Sequence, residues 1–573
     1  MSGTRRCLVG AIAAGLIFAT AVAAMAQSCT LTLKRREAKS ASLDPVTYMY
    51  WSVRPQFFSQ SMTTAVAGKG STRPAMAGDK SQADAFKRIV KKEPKYQSEQ
   101  PFRGVLKLGS QEYAFALDAV APPDAKAAKP DAKDKAAKPS TKPAAIAGAL
   151  SPLGNLLGAL AGVQPAAGPA TAVKAFSYNR LYFDFNRNGD LTDDKIVEAT
   201  ADSNRSVPVS SAAMSYSRFE FPRVDVTIDV EGSKLDYSFY LEGYAYCSSE
   251  FGSVSVRADS AICREGDITL DGKRHHLVLL DFNSNGRFDD QSKIPENIRL
   301  ASGQLYREQG DMLLVDPKTN PTTFESPYDP TLSDCRYEVA KMIPIDGRWY
   351  DLKISPTGDK LTLTRSTVPL GSVKNQNEAF TALVYGDKGF LKICGTKDKP
   401  VPIPEGQWKL FSYTITRQSS EPGKAVEKKT PEKKTVQNAA PAEKRSLIGV
   451  LVKQFAEAII GGSESPAVSP PSFVAGPSFV SATATAKYKA VTVRKGQTVE
   501  LPFGPPYTPT VTTMFYGSSN LEAKQVYLAM ELVGVAGEGC TNMAVHGSRP
   551  GTPGFTITDP KGKVVQQGNF EYG

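Results

Sequence analysis

Histidine is scarce in this chain of 573 residues: His275, His276 and His546 are all it has. None has a serine or cysteine nucleophile motif beside it, and neither Gly-x-Ser-x-Gly nor His-Glu-x-x-His occurs. A histidine triad is therefore not indicated. The pair His275-His276 lies in an extended stretch, which sends one side chain to each face of a sheet and suits no joint metal site. Cys-x-x-Cys is missing as well, which argues against thiol-redox and zinc-ribbon chemistry. Tryptophan is limited to Trp51, Trp349 and Trp408. Trp349-Tyr350 could form a sugar platform, but core packing is the plainer use of that pair. After the first 26 residues no run is apolar and long enough to span a membrane.

A basic folded face is also lacking, although the formal charge is +11. Removal of Arg5 and Arg6 with a leader would leave +9. Residues 124–142 carry six Lys against three Asp, and residues 421–445 carry six Lys and one Arg against four Glu, so each stretch is +3. Most of the excess thus sits in low-complexity sequence, and no nucleic-acid groove is expected. Flexible basic tracts of this kind suit anionic cell-envelope polymers or lipid headgroups.

The leader itself reads as an export signal. Arg5 and Arg6 precede the apolar run Cys7–Ala24, and Ala24-Met25-Ala26 fits cleavage before Gln27. An uncleaved anchor is the rival reading, disfavoured by the short core. The mature chain is then expected to be secreted, periplasmic or held at the cell envelope. It would keep six cysteines, Cys29, Cys247, Cys263, Cys335, Cys394 and Cys540. An even count in an exported protein suits disulfides, with Cys247–Cys263, Cys335–Cys394 and Cys29–Cys540 as the expected pairs. Buried thiols are the alternative.

What the chain does have is alternation. Val105–Leu108, Tyr113–Leu117, Val224–Val230, Tyr237–Leu241 and Lys360–Thr364 place apolar residues at period two between turn residues. Helical stretches are few, with Ala83–Lys91 a short candidate. The expected fold is mainly β: repeated β-sheet units, then a C-terminal β-sandwich, with two disordered inserts carrying short helices. The segments are a leader (1–26), an N-terminal segment (27–101), unit one (102–218, insert 119–173), unit two (219–334), a degenerate unit three (335–384) and the sandwich (385–573, insert 418–483). Both inserts run from a charged Lys/Pro tract into an apolar piece, Ile146–Val163 and Ser446–Ile460. In the second, Leu447, Leu451, Phe455 and Ile459 recur at helical spacing, so it reads as a docked, membrane-surface or partner-binding helix. In the last segment Tyr488–Val493 and Lys495–Leu501 read as a hairpin. Short strands with Gly/Pro turns there resemble immunoglobulin-like and prealbumin-like accessory domains of secreted bacterial proteins, which implies a fold and no activity.

Two copies of one acidic loop anchor the repeat. The first runs Asp184-Phe-Asn186-Arg-Asn188-Gly189-Asp190-Leu-Thr192-Asp193-Asp194, and the second Asp281-Phe-Asn283-Ser-Asn285-Gly286-Arg287-Phe-Asp289-Asp290. Alternate oxygen-bearing residues before a glycine can wrap a hard cation. The third unit keeps the strands and Gly358 but has Ser355 where the aspartate belongs and Thr357 before the glycine.

The loops resemble EF-hand-type and dockerin-type calcium loops. The resemblance implies side-chain ligands at positions 1, 3 and 5, here Asp184, Asn186, Asn188 and Asp281, Asn283, Asn285. It also implies a main-chain carbonyl at Asp190 or Arg287 and a ligand at Thr192 or Asp289. Position 12 departs, being Lys195 or Ser292, so the closing ligand must come from Asp193 or Asp194, and from Asp290. Glu198 and Glu296 are more distant candidates. Strand-like flanks argue against a helix-loop-helix hand. Fewer charges than in Asp-rich loops imply weak sites, with Kd ~10⁻⁴–10⁻³ M. The competing reading needs no metal: Asn-Gly is a strong hairpin-turn signal.

The sequence thus points to an exported calcium-braced β protein with a structural, adhesive or binding role. Its expected partners are a cell-envelope polymer or another envelope protein. The alternative is a secreted carbohydrate-active or other hydrolytic enzyme working through a carboxylate pair, which would show as two close acids in a deep pocket.

Overall fold

The computed structural model describes residues 26–36, 55–62, 77–120, 177–200, 206–208, 214–248, 252–296, 298, 300, 303–317, 335–377, 379–397, 399–417, 478–514, 527–545 and 548–571. Residues 1–25 of the expected leader, Trp51, both apolar insert pieces and His546 lie outside them. The described chain is mainly β, with antiparallel sheets predominating and one helix.

Alternation becomes structure most directly in Val224–Val230. Val224, Val226, Ile228 and Val230 are buried while Asp225 and Thr227 face out, as a pleated strand with one wet face requires. Glu231 and Gly232 then turn the chain at φ +52° and +84° into Ser233–Ser248. Asp271-Gly272 (+51°, +82°) and Asp346-Gly347 (+50°, +73°) close hairpins the same way. Successive left-handed residues give the turn whose twist matches its strands, and glycine accepts that conformation without strain.

Three meanders share one plan: a strand pair, a loop, then a strand returning beside the second. Their sheets contain Phe102–Leu108, Gln111–Asp118, Arg180–Phe183 and Ile196–Glu198; Ile262–Leu270, Lys273–Leu280 and Met312–Val315; and Met342–Ile345, Arg348–Ile354 and Lys360–Arg365. The acidic loops lie after the second or third strand, where the sequence places them. The N-terminal segment is woven through two of these sheets and through a further one that holds Ser233–Ser248. Ala26–Thr30 pairs with Lys360–Arg365, Thr32–Arg35 with Ile262–Leu270, and Gln56–Met62 with Gly252–Ser260. One apolar core runs from Leu31 to Leu363, rich in Phe102, Phe115, Phe183, Phe219 and Phe239.

The helix spans Ala77–Ile89, beginning six residues before the expected start. It ends at Ile89 because the next residues serve loop one: the Lys91 amide donates to the Gly189 carbonyl at 2.8 Å. Phe86 pins the helix to Val105, Ala114 and Tyr182.

A second core, around Trp408, Phe380, Tyr413 and Phe503, organises the C-terminal sheets. Trp349 and Trp408 are both buried, so packing is their use. The expected 488–501 hairpin does not form. Val491–Val493 pairs with Gly406–Arg417, and Thr498–Glu500 runs parallel to Leu370–Lys374. Gly371 permits this crossing, since a Cβ there would stand 2.3 Å from the Arg494 carbonyl oxygen. Trp408 is fully buried and its indole N–H donates to the Pro404 carbonyl at 2.9 Å. Trp408→Ala is expected to cost about 3–5 kcal/mol, read as a lower urea midpoint of the C-terminal body.

The expected disulfides are overturned. Cys29, Cys263, Cys335, Cys394 and Cys540 are thiols, and the Cys247 side chain lies outside the described residues. The strands separate them: Cys29 stands opposite Leu361, Cys394 opposite Thr381 and Cys540 opposite Ala482. Burial, with Asp267 nearby, holds the Cys29 thiol up at about 11. Burial, with Glu538 and Glu531, raises Cys540 to about 12, so both thiols stay protonated.

Candidate metal loops

Each loop begins where a buried strand runs out. Asp184 follows Arg180–Phe183 and Asp281 follows Lys273–Leu280, and both are buried. A buried carboxylate must be hydrogen-bonded, and the loop behind it supplies the donors. Asp184 accepts the amides of Asn188 (3.1 Å) and Gly189 (3.0 Å). Asp281 accepts those of Asn285 (3.0 Å) and Gly286 (2.9 Å). The chain wraps around its first aspartate identically in both copies.

That wrap is not the Asn-Gly hairpin turn. The left-handed residues are positions 4 and 6, Arg187 (φ +58°) and Gly189 (+83°), then Ser284 (+58°) and Gly286 (+80°). Asn188 and Asn285 between them are not left-handed. The turn reading needs Asn and Gly left-handed in succession, as in the three hairpins described above. Gly286 has a second reason to be glycine: a Cβ would lie 2.5 Å from Ile228 Cδ1.

The side chains converge on the tenth position. In loop one Asn188 Nδ2 donates to Asp193 Oδ2 at 2.6 Å. In loop two Asn283 Nδ2 (3.0 Å) and Asn285 Nδ2 (2.5 Å) both donate to Asp290 Oδ2. The closing acids of the two loops are thus Asp193 and Asp290. Asn188 and Asn285 are fixed in this orientation, because their Oδ1 atoms accept the amides of Asp190 (2.6 Å) and Arg287 (2.8 Å). Asn283 is not fixed in this way, and turning its amide about the last torsion would set Oδ1 in place of Nδ2 beside Asp290, facing a cation with an oxygen. Asn283 Oδ1 is buried and accepts no hydrogen bond from the described residues. It is an orphaned acceptor at ligand position 3, and in this respect loop two fits a hard cation.

The remaining expected ligands divide between the copies. Asn186 Oδ1 accepts the Asn188 amide at 2.9 Å. Asp190 accepts the Thr192 amide and hydroxyl (2.8 and 2.5 Å) and meets Lys92 Nζ at 2.8 Å. Lys92 and Thr192 hold the Asp190 carboxyl down at about 2. Lys91 Nζ sits 3.1 Å from the Asn188 carbonyl, so loop one already has two ammonium groups against it. In loop two Arg287 grips Asp289 with both Nε (3.0 Å) and Nη2 (2.9 Å), engaging both oxygens of the ninth-position ligand, and reaches Glu231 at 2.7 Å. Glu198 lies on the strand after loop one and pairs with Arg180. Ser292 caps the Gly310 amide at 2.9 Å.

Two participants, Asp311 and Tyr237, had no sequence motif. In loop one the candidate Asp194 accepts the Phe185 amide, at position 2, at 3.2 Å. Loop two has Gln291 at the corresponding place, and Asp311 does the work instead: it accepts the Phe282 amide (3.0 Å) and the Asp290 amide (2.9 Å). Tyr237 adds a hydroxyl to Asp281 Oδ2 at 2.7 Å. Loop two thus gathers Asp281, Asp290 and Asp311. Burial pushes the Asp281 carboxyl up to about 7, against the pull of Tyr237 and the loop amides. Burial and then the charges of Asp281 and Asp290 push Asp311 well above the carboxylate range. Burial also raises Asp184 and Asp194.

Among the described residues no three His, Cys, Asp or Glu side chains form a metal-holding group by themselves. A cation in these loops would depend on the amide and main-chain oxygens as well. The third loop shows the frame without the ligands: Asp359 accepts the hydroxyls of Ser355 and Thr357 at 2.6 Å each. It packs on loop two, where the Phe288 amide donates to the Pro356 carbonyl at 3.1 Å and Arg264 Nε to the Thr357 carbonyl at 2.9 Å. The two histidines take opposite faces as expected. His275 is buried against Asp316 at 2.7 Å, and His276 meets Asp267 at 3.1 Å.

No protein family, curated protein or solved structure matches the chain.

Proposed function

We propose that this is an exported β scaffold with a structural, adhesive or binding role at the cell envelope, its sheets braced by calcium held in the two acidic loops. The observation that carries this reading is the orphaned Asn283 Oδ1 beside the three carboxylates of loop two. Nearby acids repel one another in a buried place, and a divalent cation relieves that repulsion while giving the amide oxygen a partner. Both loops have competing cations, Lys91 and Lys92 at loop one and Arg287 on Asp289 and Asp290 at loop two, and loop two is the stronger site in this reading because it gathers three carboxylates and the orphaned amide oxygen. Its position fits a brace. Gly109 donates to the Asn285 carbonyl at 2.7 Å, Gln56 to the Ser284 carbonyl at 2.7 Å, and Ser284 Oγ accepts the Ser260 amide at 3.0 Å. Four separate segments, the third loop included, therefore meet on one loop.

The hydrolytic reading draws less support. The cavities of 340 and 500 Å³ are each lined by one carboxylate, Glu338 and Asp387. The 290 Å³ cavity has Glu231 and Asp359, already engaged by Arg287 and by Ser355 and Thr357.

Calcium titration followed by thermal melting tests the brace. With Kd ~10⁻⁴–10⁻³ M, 10 mM calcium is expected to stabilise the wild type by about 1–3 kcal/mol per site. Magnesium should do less, and the Asp184→Ala, Asp281→Ala double variant should not respond. Identical wild-type melting with and without millimolar calcium would sink the proposal.

A further inference from the structure

We propose that Gln56, Gln60 and Gln82 form an edge seal: a substitute strand, built of side-chain amides, that stops Phe102–Leu108 from pairing with the same strand of a second copy. Phe102–Leu108 is the outermost strand of its sheet and has Gln111–Asp118 on its inner side only. It is 7 residues long, contains no proline and is mostly buried. The outer side of such a strand offers a row of backbone N–H and C=O groups, a template on which another chain can add.

That row is already occupied. The outward N–H groups belong to alternate residues, Arg103, Val105 and Lys107. The Arg103 amide donates to Gln60 Oε1 at 3.2 Å, the Val105 amide to Gln82 Oε1 at 2.9 Å, and the Lys107 amide to Gln56 Oε1 at 3.1 Å. Two of the glutamines serve carbonyls as well. Gln60 Nε2 donates to the Pro101 carbonyl at 3.1 Å, and Gln56 Nε2 to the Lys107 carbonyl at 2.6 Å. Just past the strand, the Gly109 amide is closed by the Asn285 carbonyl at 2.7 Å.

A glutamine side chain ends in the same kind of amide that a backbone carries, an acceptor oxygen beside N–H donors. Gln56 and Gln60 come from the strand Gln56–Met62, and they meet Lys107 and Arg103 at the same sequence spacing in reverse order. Between them Phe58 is buried against Phe115, with ring centroids 5.3 Å apart. The two strands are thus held apart by side chains, and the glutamine amides span the gap. Gln82, from the helix Ala77–Ile89, fills the middle place at Val105. A simple tie between elements needs one or two such bonds at any position. Filling every outward N–H in succession is what exclusion of a strand requires. In a two-fold pairing centred on Val105, Arg103 of one copy would lie opposite Lys107 of the other, with Glu93 2.7 Å from Arg103 to offset the like charges. Such a pairing closes on itself, so its product is a dimer.

Amide hydrogen exchange on the full-length wild type reads the seal first. The Arg103 and Lys107 amides are expected to exchange about tenfold more slowly than unbonded peptide amides, the measure of one hydrogen bond. Free exchange at Lys107, an exposed residue, overturns the proposal and does not depend on how a variant folds. Each single variant should release one amide: Gln60→Ala that of Arg103, Gln82→Ala that of Val105, Gln56→Ala that of Lys107. Analytical ultracentrifugation of the Gln56→Ala, Gln60→Ala, Gln82→Ala variant then reads the consequence, expected as a concentration-dependent dimerisation absent from the wild type. Adding Lys107→Pro, which removes an outward N–H and no ladder bond, should reverse it. A triple variant that sediments as the wild type does while its three amides exchange freely overturns the proposal. Association that Lys107→Pro leaves unchanged overturns it as well, and the glutamines are then ties between elements and nothing more.

Discussion

Asp281→Ala is expected to destabilise the protein by about 3–6 kcal/mol, well beyond the effect of Asp184→Ala. The wild-type carboxylate accepts three donors: the amides of Asn285 and Gly286 and the hydroxyl of Tyr237, whose ring is wholly buried. Each buried donor left without a partner costs about 1–3 kcal/mol. Asp184 accepts two amides, and one of these, on Asn188, keeps Asn186 Oδ1 as a second acceptor. Its loss should cost about 1–3 kcal/mol. The difference should appear as a larger drop in urea midpoint for Asp281→Ala in EDTA. With calcium present the gap should widen, because the stronger site is lost. Equal midpoints for the two variants would mean that loop two is not the keystone of the sheets.

Much of the fold was legible wherever a pattern closes on itself. Val224–Val230 alternates and turns at Glu231-Gly232, so strand and hairpin could be read from adjacent residues. Pairings across long separations were not legible. The residues flanking Cys29 cannot reveal that it lies opposite Leu361, because alternation specifies a face and not a neighbour. The expectation for 488–501 failed for the same reason: the partner of Thr498–Glu500 is Leu370–Lys374, chosen by a close approach over Gly371. The disulfide expectation rested on an even count of cysteines, and a count carries no geometry.

The loops divide along the same line. Positions 1 to 6 are local, and both copies wrap as their shared spacing implies. The tenth-position acid was one of the candidates offered by the sequence, and the amides of Asn188 and Asn285 select it. Asp311 was invisible because its role depends on the strand Met312–Val315 returning beside Lys273–Leu280. Lys92 was invisible too, reaching Asp190 from 98 residues away.

The charge state of loop two leads to a result in the opposite direction from ordinary acid denaturation. In EDTA the wild type is expected to lose stability relative to Asp281→Asn as pH rises from about 4 to about 7. The folded protein holds the Asp281 carboxyl at about 7, above its ordinary 3.8. A raised carboxyl binds its proton more tightly in the folded state, so its contribution is full below pH 3.8 and is lost as pH climbs through 7. About three units at 1.36 kcal/mol each make this about 4 kcal/mol. Asp190, held down at about 2, acts with the opposite sign and below this window. Subtracting the Asp281→Asn profile removes groups that titrate equally in both proteins. Calcium takes the place of the proton, so the increment in melting temperature on adding calcium should grow from pH 5 to pH 8. A calcium increment that is flat across that range would show that the cation does not meet the buried carboxylates of loop two.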